Sequence, residues 1–229
     1  MLYPHRPVTT GVRLIVEREM RFVPAENLLL QQVTTPVWHD YSVTALRPEG
    51  LETTYFDTPS QSLARQGITF RRRLFHDPSS QLTVASAAEL TIKLPRDANT
   101  GHLFARPEYT ETIEPNESIH GRSLVMLAAE YAPGETISEW FTSYTDRSGY
   151  ELRRAGATLL LTWDRLTLAA DPSYVDEEIE AELSVGPSEG LDDLAMLLTT
   201  TYGLTYGDNG KRTRAGRHLA HLGLINFPT

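Results

Sequence analysis

The stretch Val12-Arg13-Leu14-Ile15-Val16-Glu17-Arg18-Glu19-Met20-Arg21-Phe22 decides how this chain folds. Side chains of a strand alternate between its faces, so Glu17, Glu19 and Arg21 share one face while Arg18, Met20 and Phe22 share the other. Three more segments repeat the pattern: Arg71 and Arg73 beside Phe70 and Leu74; Lys93 between Ile92 and Leu94; and Glu178, Glu180 and Glu182 alternating with Ile179, Ala181 and Leu183. Taken alone, Glu17 and Glu19 read as a solvated strand face. Taken with the other three segments, the charged faces converge on a polar interior in which carboxylates oppose cations, while Arg71, Arg73 and Lys93 oppose anions.

Working outward, strands are expected near Thr53 to Phe56, Ile68 to Phe75, Glu89 to Leu94, Glu108 to Ile113, Gly149 to Arg153, Thr158 to Ala169 and Glu177 to Val185. With the first, that makes about eight, enough to close a barrel. Asp57-Thr58-Pro59-Ser60 carries turn and cap chemistry for a short helix, Gln61 to Gln66, which Gly67 can end in left-handed geometry. Pro24 can open another through Ala25 to Val33. Helical periodicity marks Ser123 to Tyr131, Leu191 to Tyr202 and Arg214 to Leu222. Runs of strands with scattered helices indicate an α+β antiparallel architecture, read as a single domain over residues 1–229 with its helices packed outside the barrel.

Composition narrows the chemistry. The 229 residues are 40% hydrophobic and contain no cysteine, so a metal would be held by oxygen or imidazole, and Mg²⁺ or Mn²⁺ become the expected ions. A formal net charge of −9 argues against a nucleic-acid partner. No stretch approaches the roughly 20 apolar residues of a membrane span, and Met1 to Thr10 lacks a secretory core, so the expected location is cytoplasmic.

At this point the residues resemble the CYTH superfamily, the triphosphate tunnel metalloenzymes. Glu17-Arg18-Glu19-Met20-Arg21 is similar to the family's Glu-x-Glu-x-Lys signature, and Tyr55-Phe56-Asp57-Thr58-Pro59 with Leu63 to Ile68 is similar to its next block. Arg71 and Arg73, Lys93, Arg106 with Glu108, Arg147, Asp164, the Glu178-Glu180-Glu182 strand, and Lys211 with Arg214 follow in family order, from about residue 12 to 219. Three departures stand out: Arg21 where the signature usually has Lys, Thr110 where members often continue the acidic alternation after Glu108, and Gly210 where a Ser usually precedes the lysine.

The resemblance implies an eight-stranded tunnel that binds a triphosphate with a divalent metal. Cleaving a phosphoanhydride requires neutralised phosphoryl charge and a placed water, tasks that are mainly electrostatic and positional. The expected metal ligands are drawn from Glu17, Glu19, Glu108, Asp164, Glu178, Glu180 and Glu182, and the phosphate grip from Arg21, Arg71, Arg73, Lys93, Arg106, Arg147, Lys211 and Arg214. Glu17, Glu19, Asp164 and Lys93 form the expected catalytic set. Arg72 falls on the opposite strand face, and Arg212 and Arg217 read as the exposed side of the last helix. The expected activity is hydrolysis of inorganic tripolyphosphate or another small triphosphate such as thiamine triphosphate or a nucleoside triphosphate, by a monomer or homodimer. The alternatives are a class IV-type adenylyl cyclase and a noncatalytic triphosphate- or polyphosphate-binding module.

Overall fold

The computed structural model describes residues 11–24, 40–77, 85–96 and 101–228. The helix expected over Ala25 to Val33 lies outside them. Ten strands run in chain order: β1 (Val12–Val23), β2 (Ser42–Ala45), β3 (Glu49–Asp57), β4 (Thr69–His76), β5 (Ala87–Lys93), β6 (Phe104–Ile113), β7 (Ser138–Arg154), β8 (Ala157–Leu168), β9 (Asp176–Val185) and β10 (Thr205–Tyr206). The helices among the described residues are α1 (Ser62–Arg65), α2 (Ser123–Glu130), α3 (Glu189–Tyr202) and α4 (Lys211–His221).

Eight strands follow one another antiparallel in the order β1-β6-β5-β4-β3-β7-β8-β9, and β9 pairs back onto β1, closing the barrel. Closure leaves no free edge along that ring. β2 extends β7, and β10 extends β1. The strands differ from the sequence reading mainly in extent: β3 begins four residues before Thr53, β6 four before Glu108 and β7 eleven before Gly149, while β2 and β10 were not expected. β7 opens with Ser138-Glu139-Trp140, whose outer side is partly exposed, so its pattern lacks the apolar alternation of a half-buried strand.

Each outer face of the barrel is apolar where a helix lies on it. Leu191, Leu194, Ala195 and Leu198 of α3 pack on Met20, Phe22, Leu159, Leu161, Ile179 and Ala181. Each such buried side chain contributes about 1.5–3 kcal/mol relative to exposure. Leu63 of α1 and Leu124 and Ala128 of α2 pack on Phe56, Phe70, Leu90, Ile92 and Ile113. The odd-numbered positions of β1 then have nowhere to go but inward, which is why Glu17, Glu19 and Arg21 are buried although charged.

The loop after β3 is built around Asp57. Its carboxylate accepts from the backbone N–H groups of Thr58, Leu63 and Ala64 at 2.8, 3.0 and 2.9 Å, satisfying donors that begin α1. Gly67 follows at φ +72°, the left-handed geometry expected of it. α4 differs from the other helices: Ala215 and Leu219 pack on Tyr55, Phe141, Leu166 and Leu168, the residues of β3, β7 and β8 at one end of the barrel. Among the described residues, no helix is long and apolar enough to cross a membrane.

Candidate active site: a charged tunnel

The inward faces of the strands enclose a cavity of about 770 Å³. Strand register sets its charges in three groups.

The first group spans β1, β6 and β5. Glu17 lies opposite Arg106, and Glu108 opposite Lys93. Lys93 Nζ bonds to Glu17 Oε1 and, at 2.9 Å, to Glu108 Oε2. Arg106 donates to Glu17 at 2.8 Å and reaches Glu19 at 3.4 Å, and Arg21 bonds to Glu19. Burial would raise the Glu17 carboxyl, but Lys93 and Arg106 outweigh it and hold the group far below the usual carboxylate range.

The second group spans β7, β8 and β9, where Arg147, Asp164 and Glu178 stand in register. Arg147 grips Asp164 through two bonds of 2.7 and 2.6 Å and reaches Glu180 at 3.0 Å. Lys211, from the start of α4, lies 2.6, 3.1 and 2.8 Å from Asp164, Glu178 and Glu180. Burial depresses the Lys211 ammonium, and these three carboxylates more than reverse that, so it stays charged.

The third group spans β3, β4 and β5. Tyr55 stands opposite Arg71 and Thr53 opposite Arg73, and both arginines line the cavity. Among the described residues neither forms an ion pair, and Arg71 Nε has no hydrogen-bond partner. Arg73 donates only a long 3.4 Å bond to Thr53 Oγ1. Burial, together with the neighbouring Arg71 and Arg147, pulls the Arg73 guanidinium down to about 10. This pair carries positive charge outside any ion pair among the described residues, with Glu89 opposite Arg73 in register and Glu108, Glu89 and Glu17 acting on Arg71 at longer range.

Negative charge is in excess elsewhere. Glu19 stands opposite Glu182 across the β1–β9 seam. Of the carboxylates expected to hold metal, Glu182 alone forms no ion pair among the described residues. Burial, followed by Glu17, Glu19 and Glu180, overcomes Lys93 and pushes its carboxyl up to about 7. Among the described residues no three carboxylates converge on one point as they stand. The donor set Glu17, Glu19, Glu180 and Glu182 nevertheless fits a hard cation: its oxygens line one side of the cavity, and the crowding felt by Glu182 is what a divalent ion would relieve.

The expected residues therefore divide. Glu17, Glu19, Arg21, Arg71, Arg73, Lys93, Arg106, Glu108, Arg147, Glu180, Glu182 and Lys211 line the cavity. Asp164, Glu178 and Arg214 stand behind that surface. Asp164 holds Arg147 and Lys211, while Arg214 bonds to Asp176 at 2.9 Å and Glu178 at 2.7 Å. Arg212 departs from its expected exposure: it lines the cavity and donates to the Ile68 carbonyl at 2.7 Å. Arg96, also missed, lies at the mouth with its guanidinium 4.4 Å from the centre of the Phe104 ring, which Arg21 covers at 4.2 Å. One sequence signal pointed at the site throughout. Lys93 and Lys211 are the chain's two lysines, and both are inside the tunnel.

The CYTH domain family matches residues 16–215 of this chain. Among curated proteins none matches its sequence. Three solved structures share its fold. HpAC1 from Hippeastrum, a candidate adenylyl cyclase described with a dominant triphosphatase activity, is 15% identical over 92% of this chain and 97% of its own, with a TM-score of 0.62. A candidate adenylate cyclase from Bacillus halodurans is 18% identical over 88% and 97%, with a TM-score of 0.61. A protein of Pyrococcus horikoshii is 16% identical over 85% and 94%, with a TM-score of 0.52. At these identities the likeness is one of fold.

Proposed function

Since the chain belongs to the CYTH domain family, we propose that it hydrolyses the terminal phosphoanhydride of a small triphosphate, with inorganic tripolyphosphate as the first candidate and thiamine triphosphate and nucleoside triphosphates behind it. The observation that carries this reading is the Arg71 and Arg73 pair: two guanidiniums that line a polar tunnel with no ion pair among the described residues, their planar donor sets suited to phosphate oxygens. Lys93, Arg106 and Lys211 extend the cationic lining along the same cavity.

Glu17, Glu19, Glu180 and Glu182 would hold a Mg²⁺ or Mn²⁺, which when bound supplies neutralisation of phosphoryl charge and polarisation of the anhydride. The remaining work belongs to the chain. Arg71 and Arg73 bind and orient one end of the triphosphate, and Lys93, Arg106 and Lys211 bind the rest. Each of those last three is bonded to carboxylates before substrate arrives, so its charge is already aimed into the tunnel and little reorganisation is needed. Asp164 keeps Arg147 and Lys211 in place. Water adds to the terminal phosphorus as the bridging P–O bond breaks toward the leaving diphosphate, whose developing charge Lys93, Arg106 and Lys211 meet, and the water's proton passes to the released phosphate.

A second reading, cyclisation of ATP, has one feature in its favour: Ile15, Phe75 and Leu160 face the cavity from β1, β4 and β8 and offer apolar surface to an organic group. Phosphate release from tripolyphosphate, thiamine triphosphate and ATP, each with Mg²⁺ or Mn²⁺ and with cyclic AMP followed in parallel, separates the two. Metal-dependent phosphate release supports the hydrolase, cyclic AMP the cyclase, and binding without turnover a noncatalytic module.

A further inference from the structure

Helix α4 presents Lys211, Arg214 and His218 at spacings of three and four residues, which places them on one face. Each meets an acid of the β8–β9 connection or of β9. Lys211 meets Glu178 and Glu180 inside the tunnel, and Arg214 meets Asp176 at its rim. Outside the tunnel, His218 Nε2 lies 2.8 Å from Asp171 Oδ2. Asp171 is itself fixed, since its Oδ1 accepts from Ser173 N–H at 3.1 Å and Ser173 Oγ–H at 2.6 Å. The Tyr174 ring lies against the imidazole with centroids 4.3 Å apart. His218 thus sits in a prepared seat, two helical turns from Lys211 and away from the cavity lining.

The apolar side of α4 is small, with Ala215 and Leu219 as its buried apolar residues. Two short contacts set depth but resist sliding and rotation weakly, whereas a directional bond at the far end fixes both. At the near end Arg212 bonds to the Ile68 carbonyl and Arg214 to Asp176 and Glu178, while Lys211 must turn part of its bonding from Glu178 and Glu180 to the phosphate. The His218–Asp171 bond is the matching restraint at the far end.

From this geometry we infer that His218 is a positioning residue: through Asp171 it fixes the seat of α4, and with it the reach of Lys211 and Arg212 into the tunnel. The inference rests on the reading that the tunnel binds a triphosphate. His218→Leu, Asp171→Ala and the double variant of the full chain are compared with wild type for tripolyphosphate hydrolysis in Mg²⁺, for melting temperature, and for the side-chain amine resonances of lysine-labelled protein, where the two lysines yield two signals.

Each single variant is expected to raise KM about five- to tenfold with kcat within about twofold, the lower end of coupling between two sites. The double variant should be no worse than either single, since both remove one bond. His218→Gln, which keeps a donor toward Asp171, should recover KM, and the Lys211 resonance should move in His218→Leu while that of Lys93 stays. A lowered melting temperature with KM and the Lys211 resonance unchanged overturns the inference. If wild type releases phosphate from no triphosphate, the hydrolase reading fails by itself. The Lys211 resonance then decides, and an unmoved signal in His218→Leu overturns the positioning role.

Discussion

The guanidinium of Arg21 occupies the space into which a side chain at Gly210 would grow. Two of the three positions at which this chain departs from its family's pattern are therefore in contact. Arg21 is buried and bonded to Glu19, so its head group has little freedom to withdraw. The bulk gained at one position is accommodated by the side chain missing at the other.

Gly210→Ser should consequently displace Arg21, at the cost of about 1–3 kcal/mol typical of overpacking, and raise KM for the triphosphate about tenfold. Adding Arg21→Lys to the same chain should recover most of it. Steady-state kinetics on the two single variants and the double variant check this, and additive losses would contradict the coupling.

Arg73 lies in the tunnel beside Arg71 with no ion pair among the described residues. Arg73→Met should leave the melting temperature of the free protein unchanged or higher, because it relieves repulsion between like charges. The same variant should weaken triphosphate binding by about 1.5–3 kcal/mol, the worth of a charged hydrogen bond. Calorimetric titration with tripolyphosphate, alongside thermal melting, measures both changes.

Glu19 is almost wholly buried and faces Glu182 across the barrel seam. Glu19→Gln should lower metal affinity by at least about tenfold to a hundredfold and abolish metal-dependent turnover. Near-normal phosphate release by this variant at saturating Mg²⁺ would remove Glu19 from the metal set.

Glu182 gives a pH dependence with a definite sign. Its carboxyl is raised to about 7 in the fold, against about 4.3 for a free glutamate. Between those values the native state holds a proton that the unfolded chain has released. Its contribution to stability is thus complete below the lower value and is lost as pH rises through the higher one, by up to about 3 kcal/mol. Denaturant unfolding of the metal-free protein from pH 5 to 8 should therefore show Glu182→Gln gaining on wild type as pH rises. Mg²⁺ should stabilise wild type more at pH 8 than at pH 5.

Much of this was legible in the chain itself. Strand alternation is a local property, so Glu17, Glu19, Arg71, Arg73, Lys93 and Glu180 could be assigned to one kind of face before any partner was known. β7 was read in part because its first half lies partly exposed and lacks an apolar rhythm. Arg212 was misplaced for a different reason. A cation at the second position of a helix looks solvated in sequence, and only the docking of α4 across the barrel end turns it toward the cavity.

The sequence by itself determined which residues carry charge on an inward strand face, because side-chain direction in a strand depends only on position parity. Only the tertiary structure decided which charges meet. Pairing β9 with β1 brings Glu182 against Glu19, and closing the barrel leaves Arg71 and Arg73 outside any ion pair among the described residues while Asp164 is sealed between Arg147 and Lys211. Those are contacts between residues far apart in the chain, set by register and closure, and no local rule of side-chain direction contains them.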